Sequence, residues 1–428
     1  MTSPPAIKAL QAFKGRTIFE MVEGVELARE WDGQAPQLML LPATNPASFP
    51  KVMRRAAALP QAAWSRIRAG EGVVVFDAAG EGAPAEDGFL EEIHQFLAAM
   101  GVHPRGAAYI TQDRGFAEDY ARLRAARDGG PRMQVIFDDY WIRRLAGEFE
   151  LEGPRLFEER LAAYRARARR RPRRFVSLNL TPRPTKLVFL LSLLRDGLWD
   201  RGFISFGGLE RQLAKGGAIQ DIKDQLNHIG FGAGVRELAA HFAPLERMGE
   251  VLLGDGSGSR TAEGAPKLSE DAALPEYGLS WFSVVTETEM RRRPSRITEK
   301  PFKPIANFHP FLVLGNPGAL ALLKGFGFES FGEVFDERYD EEPDPGRRFA
   351  LVYDQVRRLC AADEAELDRI DRVVEAKVVA NAEHLMTRMP AWYRQEVDRA
   401  LLEKLEAMRR SGRDAQAGSA GAPSPAST

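Results

Sequence analysis

The stretch Gly72-Val73-Val74-Val75-Phe76-Asp77 decides the fold class. It is apolar and β-branched without alternation, the pattern of a strand covered on both faces, as in a parallel sheet. Downstream, Phe89 to Met100 carries Leu90, Ile93, Phe96 and Leu97 at helical spacing. Ala107-Ala108-Tyr109-Ile110-Thr111 and Met133-Gln134-Val135-Ile136-Phe137 then read as further strands. Upstream, Leu38-Met39-Leu40-Leu41-Pro42 is a short apolar run closed by a breaker. Strand, helix and strand at this spacing predict α/β winding.

The pattern resumes after a basic helical stretch at 155–174, which Pro172 is expected to stop. Phe175–Leu180, Phe203–Phe206, Trp281–Thr286 and Phe311–Gly315 read as strands, with a helix from Thr185 through Leu194. Ile297-Thr298-Glu299-Lys300 reads as the start of another helix, and helices account for most of 344–410. Residues 254–275 read as a Gly- and Ser-rich loop, and 411–428 as a disordered tail. The expected organisation is an α/β domain at 1–155, a second at 156–343, C-terminal helices at 344–410 and the tail at 411–428.

The chain has 428 residues, which suits two domains of roughly 150–200 residues each. Its 59 basic and 60 acidic residues nearly cancel, so no global field draws it to nucleic acid or anionic membrane. The single cysteine, Cys360, excludes an internal disulfide and a Cys-based zinc site, and its apolar helical context marks a buried small residue. That usage fits a reducing cytoplasm. The first residues lack a signal-peptide layout. No apolar run nears about 18 residues, so no transmembrane helix is expected.

Four constellations carry polar groups where strands meet helices. The first joins Thr286 and Glu287, at the end of a strand, to Thr298, Glu299, Lys300 and Lys303. Ligands of open α/β sheets bind at the carboxyl ends of strands. Thr298 is expected as an N-cap, leaving N–H groups to face a phosphate. Lys300 and Lys303 add point charges for a diphosphate, and Glu299 an acceptor for ribose hydroxyls. The plainer alternative is a capped helix with a solvated Glu-Lys pair. The second is the turn at Gly315-Asn316-Pro317-Gly318, where glycine permits close approach of a ligand, or simply a connection. The third is Asn179 with Arg183 and Lys186, phosphate-binding groups or surface cations in a Pro-fixed loop. The fourth is Asp77 and Glu81, a general base for an acceptor hydroxyl or a cap and a loop acid.

The six histidines show no metal spacing, and GxSxG, Walker A and GxGxxG motifs are absent. His309 lies beside a candidate strand and reads first as structural. The run Arg165–Arg174 could meet an anionic lipid surface or nucleic acid, though a solvated helix end is the better account.

Phe175–Phe206 followed by Ser283–Phe331 resembles a group of bacterial and phage glycosyltransferase-like proteins. Their recurring features appear as Asn179-Leu180-Thr181-Pro182-Arg183-Pro184, Thr286-Glu287-Thr288 and Thr298-Glu299-Lys300-Pro301-Phe302-Lys303-Pro304-Ile305. The last is also similar to the Thr-Glu-Lys segment of the α-1,3-fucosyltransferase family. The resemblance implies two Rossmann-like domains of GT-B type. It also implies that Glu299 and Lys300 contact the ribose and diphosphate of a nucleotide sugar, with Arg183 a looser match to a phosphate-binding arginine. After Lys300 the sequence departs from the fucosyltransferases. The expectation is therefore a metal-independent cytoplasmic glycosyltransferase without a cofactor, with the acceptor on the N-terminal domain. Its expected partners are a nucleotide-sugar donor and a glycan or lipid-linked acceptor. Peripheral contact with the inner membrane is admitted; nucleic acid is not expected. A non-catalytic nucleotide- or glycan-binding protein is the alternative.

Overall fold

The computed structural model describes residues 7–13, 15, 17–44, 46–80, 85–127, 129–168, 170–181, 183–209, 237–253, 275–290 and 296–420. The side chains of 239 and 413–420 lie outside that description. The α/β expectation holds. The chain divides into two compact units, Met1–Arg144 with Ala391–Thr428, and Leu145–Pro390. The helices expected together at 344–410 are therefore shared between the units.

The first unit is built on β1 (Ile7–Leu10), β2 (Val25–Ala28), β3 (Leu38–Pro42), β4 (Val73–Ala78), β5 (Ala107–Thr111) and β6 (Gln134–Phe137). Their order is β2-β1-β3-β4-β5-β6, and every pairing is parallel. From β3 to β6 each crossover advances by one strand in the same direction. Crossovers of one hand then place their helices on one face. These are α1 (Phe49–Ala57), α2 (Gln61–Arg68), α3 (Asp87–Ala99) and α4 (Phe116–Arg127). They bury Trp64, Ile93 and Phe116 against Phe76 and Tyr109 of the sheet.

A parallel sheet needs its second face covered too. That face carries Leu40, Val75 and Ile110, and the last helix, Arg399–Ala420, packs Leu401, Leu405 and Met408 onto it. Those three positions repeat at helical spacing and form one apolar stripe. A buried ion triad holds the return. Arg143 binds Asp138 through Nε (3.1 Å) and Nη2 (2.5 Å), and its Nη1 binds Asp398 just ahead of the last helix. The last helix runs to Ala420, into the tail expected from 411, and 421–428 lie outside the described residues. The loop read at 254–275 lies outside them too, except for its last residue. Strands β1 and β2 escaped sequence reading because each four-residue strand holds a charged residue, Lys8 or Glu26.

The second unit has a five-stranded sheet in the order β11-β10-β7-β8-β9. Its strands are β7 (Phe175–Asn179), β8 (Gly202–Gly207), β9 (Glu250–Val251), β10 (Phe282–Thr286) and β11 (Phe311–Leu314). Only the short edge strand β9 is antiparallel. Helix α5 (Tyr140–Arg165) leads into the unit, and α6 (Pro184–Arg195) crosses from β7 to β8. The chain later returns to the other side of β7, so the strand order reverses between β7 and β10. At such a switch point the crossovers leave a crevice at the carboxyl ends of the strands.

The helix expected to end at Pro172 ends at Arg165 and contains Pro154. Beyond it the basic run turns inward. Arg167 and Arg171 both donate to Oδ2 of Asp371, at 2.6 and 2.8 Å. Their guanidinium groups lie over the rings of Tyr164 and Trp281, at 3.4 and 4.3 Å from the centroids.

Two glycines of α5 give opposite expectations. A Cβ on Gly153 would stand 1.8 Å from the backbone oxygen of Met386, whereas one on Gly147 meets nothing within 4 Å. Alanine in a helix interior gains about 0.5–1 kcal/mol over glycine, but a forced clash costs about 1–3 kcal/mol. Gly153→Ala should therefore destabilise and Gly147→Ala should stabilise in chemical denaturation; two changes of the same sign would refute this packing.

Candidate anion-binding site

The seam between β7 and β10 organises the site. The backbone register pairs Phe282 with Phe175 and Ser283 with Val176. Further along, side chains link the strands. Ser177 Oγ donates to the Val284 carbonyl (2.8 Å), Asn179 Nδ2 donates to Ser177 Oγ (3.0 Å), and Thr286 Oγ1 donates to Asn179 Oδ1 (2.7 Å). The Asn179 N–H donates to Ser205 Oγ of β8 (2.9 Å). Asn179 and Thr286 are thus at the expected place, but buried and engaged in a ladder that fixes the ends of the strands.

Glu287 follows β10, is buried, and shapes the next loop. Its Oε1 accepts from the Thr298 N–H (3.2 Å) and its Oε2 from Thr298 Oγ1 (2.7 Å). Lys300 Nζ donates to Thr298 Oγ1 (2.9 Å) and lies 3.3 Å from Glu299 Oε1 and 3.5 Å from Glu287 Oε2. Burial opposes the charge of Lys300, but Glu299 and Glu287 overcome it and raise its pKa. Burial likewise opposes the charge of Glu299, and Lys300 outweighs it, lowering that pKa. Gly315 backs this loop: a Cβ there would come within 3.0 Å of Glu287 Cγ. Its carbonyl accepts from Arg348 Nε (2.8 Å).

Two helix ends differ from expectation. Thr298 Oγ1 donates to Glu287 and accepts from the Lys300 N–H (3.4 Å), but it caps no helix, because none begins there. The helix begins later, as α7 (Phe302–Ala306) behind Pro301, and at five residues it is too short to offer a phosphate-binding end. After β11, the helix α8 (Ala319–Gly325) is already capped. Asp340 accepts from the N–H groups of Leu320 (2.9 Å) and Ala321 (3.1 Å), and its carbonyl from that of Gly318 (2.7 Å). Asp340 lies too far along the chain for any local motif to have announced it.

The end of α6 is different. Arg183 occupies its N-cap position, is exposed, and makes no capping bond with its side chain. Lys186 lies in the first turn and is 5% exposed. Among the described residues its amine makes no hydrogen bond and no ion pair. Burial, then the neighbouring charge of Lys300, push its pKa down to about 7, against weaker support from Glu299 and Glu287. Lys303 on α7 adds a further positive charge facing it. A buried cation in the first turn of a helix opposes the helix dipole as well as its own desolvation. This corner is therefore short of negative charge.

The expected acceptor-side base is placed otherwise. Asp77 lies within β4 rather than on a loop. Its Oδ2 accepts from Thr17 Oγ1 (2.6 Å) and the Ile18 N–H (3.0 Å), and its Oδ1 from the Ala79 N–H (3.1 Å). Burial raises its pKa. Glu81 lies outside the described residues. Cys360 is buried, with its thiol pushed up to about 12 by burial, so it is no nucleophile near neutrality. Among the described residues, no helix is long and apolar enough to cross a membrane, and no group of three or more His, Cys, Asp or Glu could hold a metal ion.

With this geometry in hand, the chain was compared with family models, curated proteins and solved structures, and it matches none of them.

His309 is structural. Its Nε2 donates to the Ser280 carbonyl (2.9 Å), leaving Nδ1 to accept from Ser283 Oγ (2.7 Å). Burial lowers its pKa from 6.5 to about 3. The unfolded chain therefore binds the proton first, and stability falls as pH drops from 6.5 toward 3. In denaturation between pH 7 and pH 4, wild type should lose up to about 1.4 kcal/mol per pH unit more than His309→Asn. Equal slopes would contradict a buried neutral imidazole.

Proposed function

We propose that this chain is a glycosyltransferase of GT-B type that binds a nucleotide-diphosphate sugar at the β7–β10 seam. The observation that carries the proposal is Lys186, a buried amine without a partner among the described residues, in the first turn of α6 at that seam. A diphosphate supplies the missing negative charge and accepts from the free N–H groups of α6. Lys300 and Lys303 extend the positive field along the 298–303 segment, and Glu299, partly exposed, is available to ribose hydroxyls. Arg183, exposed at the helix start, reaches a phosphate from the solvent side. Thr286, Asn179, Thr298, Glu287 and Gly315 act by holding the strand ends and the loop in place.

In transfer, the bond from the anomeric carbon to the diphosphate oxygen breaks and the acceptor oxygen takes its place. The acceptor proton passes to a base, and the charge growing on the leaving diphosphate is stabilised by these lysines and helix N–H groups. The sugar goes to a hydroxyl of a glycan or lipid-linked acceptor. Asp77, one of the two acids expected as the base, is engaged in three hydrogen bonds, and the other, Glu81, lies outside the described residues. That favours, as the second reading, a nucleotide-sugar-binding protein without transfer. Donor hydrolysis or transfer alongside binding separates the two.

The test is a thermal-shift panel of UDP, GDP, dTDP and CMP sugars on wild type, Lys186→Met, Lys300→Ala and Glu299→Ala. At least one diphosphate sugar should stabilise wild type. Lys186→Met should raise the melting temperature of the ligand-free chain at pH 6, where the lysine is charged and the substitution removes a buried unpaired charge. It should also weaken nucleotide binding by about 10- to 100-fold, the worth of one charged hydrogen bond. A panel without any shift, or full binding by Lys186→Met, would overturn the proposal.

A further inference from the structure

The isolation of Lys186 has a consequence for how the site fills. Resting on the donor-site reading above, we propose that above neutral pH anion binding at the end of α6 takes up a proton, which Lys186 gives up more readily without the anion than with it.

The geometry sets this up. Lys186 is 5% exposed and belongs to the first turn of α6. The charged groups facing it are Lys300 and Glu299 on the loop after β10, Glu287 at the end of that strand, and Lys303 on α7. The two carboxylates are already committed. Glu287 accepts twice from Thr298, and Glu299 is paired with Lys300 at 3.3 Å. Among the described residues no carboxylate pairs with the Lys186 amine, and burial and Lys300 outweigh the support of Glu299 and Glu287, holding its pKa at about 7. A phosphate arriving between Lys186 and the α6 N–H groups reverses the balance. It is an acceptor within reach and an opposite charge in a poorly solvated corner, and both favour the ammonium.

The sign of the linkage follows. Below pH 7 the amine is already charged and binding takes up little. Above pH 7 the ligand must bring a proton, so affinity falls about tenfold per pH unit until the pKa of the occupied site is reached. Uptake should therefore be larger at pH 8 than at pH 6. Lys300 gives no such effect, since it stays charged in both states beside Glu299 and Glu287.

The experiment is calorimetric titration of the full chain with UDP-glucose and GDP-mannose at pH 6 and pH 8. Each titration is repeated in buffers of different ionisation heat. These ligands carry diester phosphates that do not titrate over that range. Wild type should show proton uptake at pH 8 that largely vanishes at pH 6. Lys186→Arg, which keeps its charge throughout, should bind without uptake at either pH. Should that variant fail to fold, the two pH values on wild type decide alone. Binding with no uptake at pH 8, or undiminished uptake in Lys186→Arg, would overturn the proton linkage and leave the donor site standing. Absence of binding by either ligand, and by the remaining sugar nucleotides in the same assay, would overturn both.

Discussion

The candidate site depends on one seam. Between β7 and β10 the strand order of the second sheet reverses, and side-chain bonds through Ser177, Asn179 and Thr286 link the strands beyond their first backbone pairs. Those bonds fix where β7 and β10 end. They thereby fix where α6 begins and where the loop carrying Thr298, Glu299 and Lys300 departs. Loss of this ladder would leave the lysines no common place to point.

Charge then distinguishes structural from ligand-directed groups at the seam. Lys300 has two carboxylates and a hydroxyl around it. Asp340 closes the helix after β11, and Glu287 closes the loop before α7. Lys186 alone among these groups is buried without a partner in the described structure. Burial of an amine without a partner disfavours its charged form, and an anion is the neighbour that would restore it. The basic run at 165–174 shows the opposite case. Arg167 and Arg171 share Asp371 and lie over aromatic rings, so two arginines of the densest cationic stretch are spent inside the second unit.

Much of the fold was legible because parallel strands covered on both faces are continuously apolar. β3 and β11 follow that rule and β4 does so up to Asp77, whereas the four-residue β1 and β2 each hold a charged residue. The strand ends that carry the candidate residues were legible for the same reason, since polar groups follow the apolar runs. Roles were less legible. Thr298 looked like a helix cap because a Thr before a Glu-Lys pair has that local signature, but the helix starts only at Phe302 and a carboxylate eleven residues earlier holds the Thr298 hydroxyl. Asp77 looked like a loop acid, yet three donors, two of them from the chain near Thr17, enclose it. Partners distant in sequence decide such assignments, and no local window contains them.

The central claim is that the end of α6 is an anion site completed by Lys186. A crystal structure of the chain soaked with a nucleoside diphosphate tests it most directly. The account predicts phosphate density within hydrogen-bond distance of Lys186 Nζ and of the first N–H groups of α6. A nucleotide bound elsewhere in the chain, with Lys186 still unpaired, would contradict it.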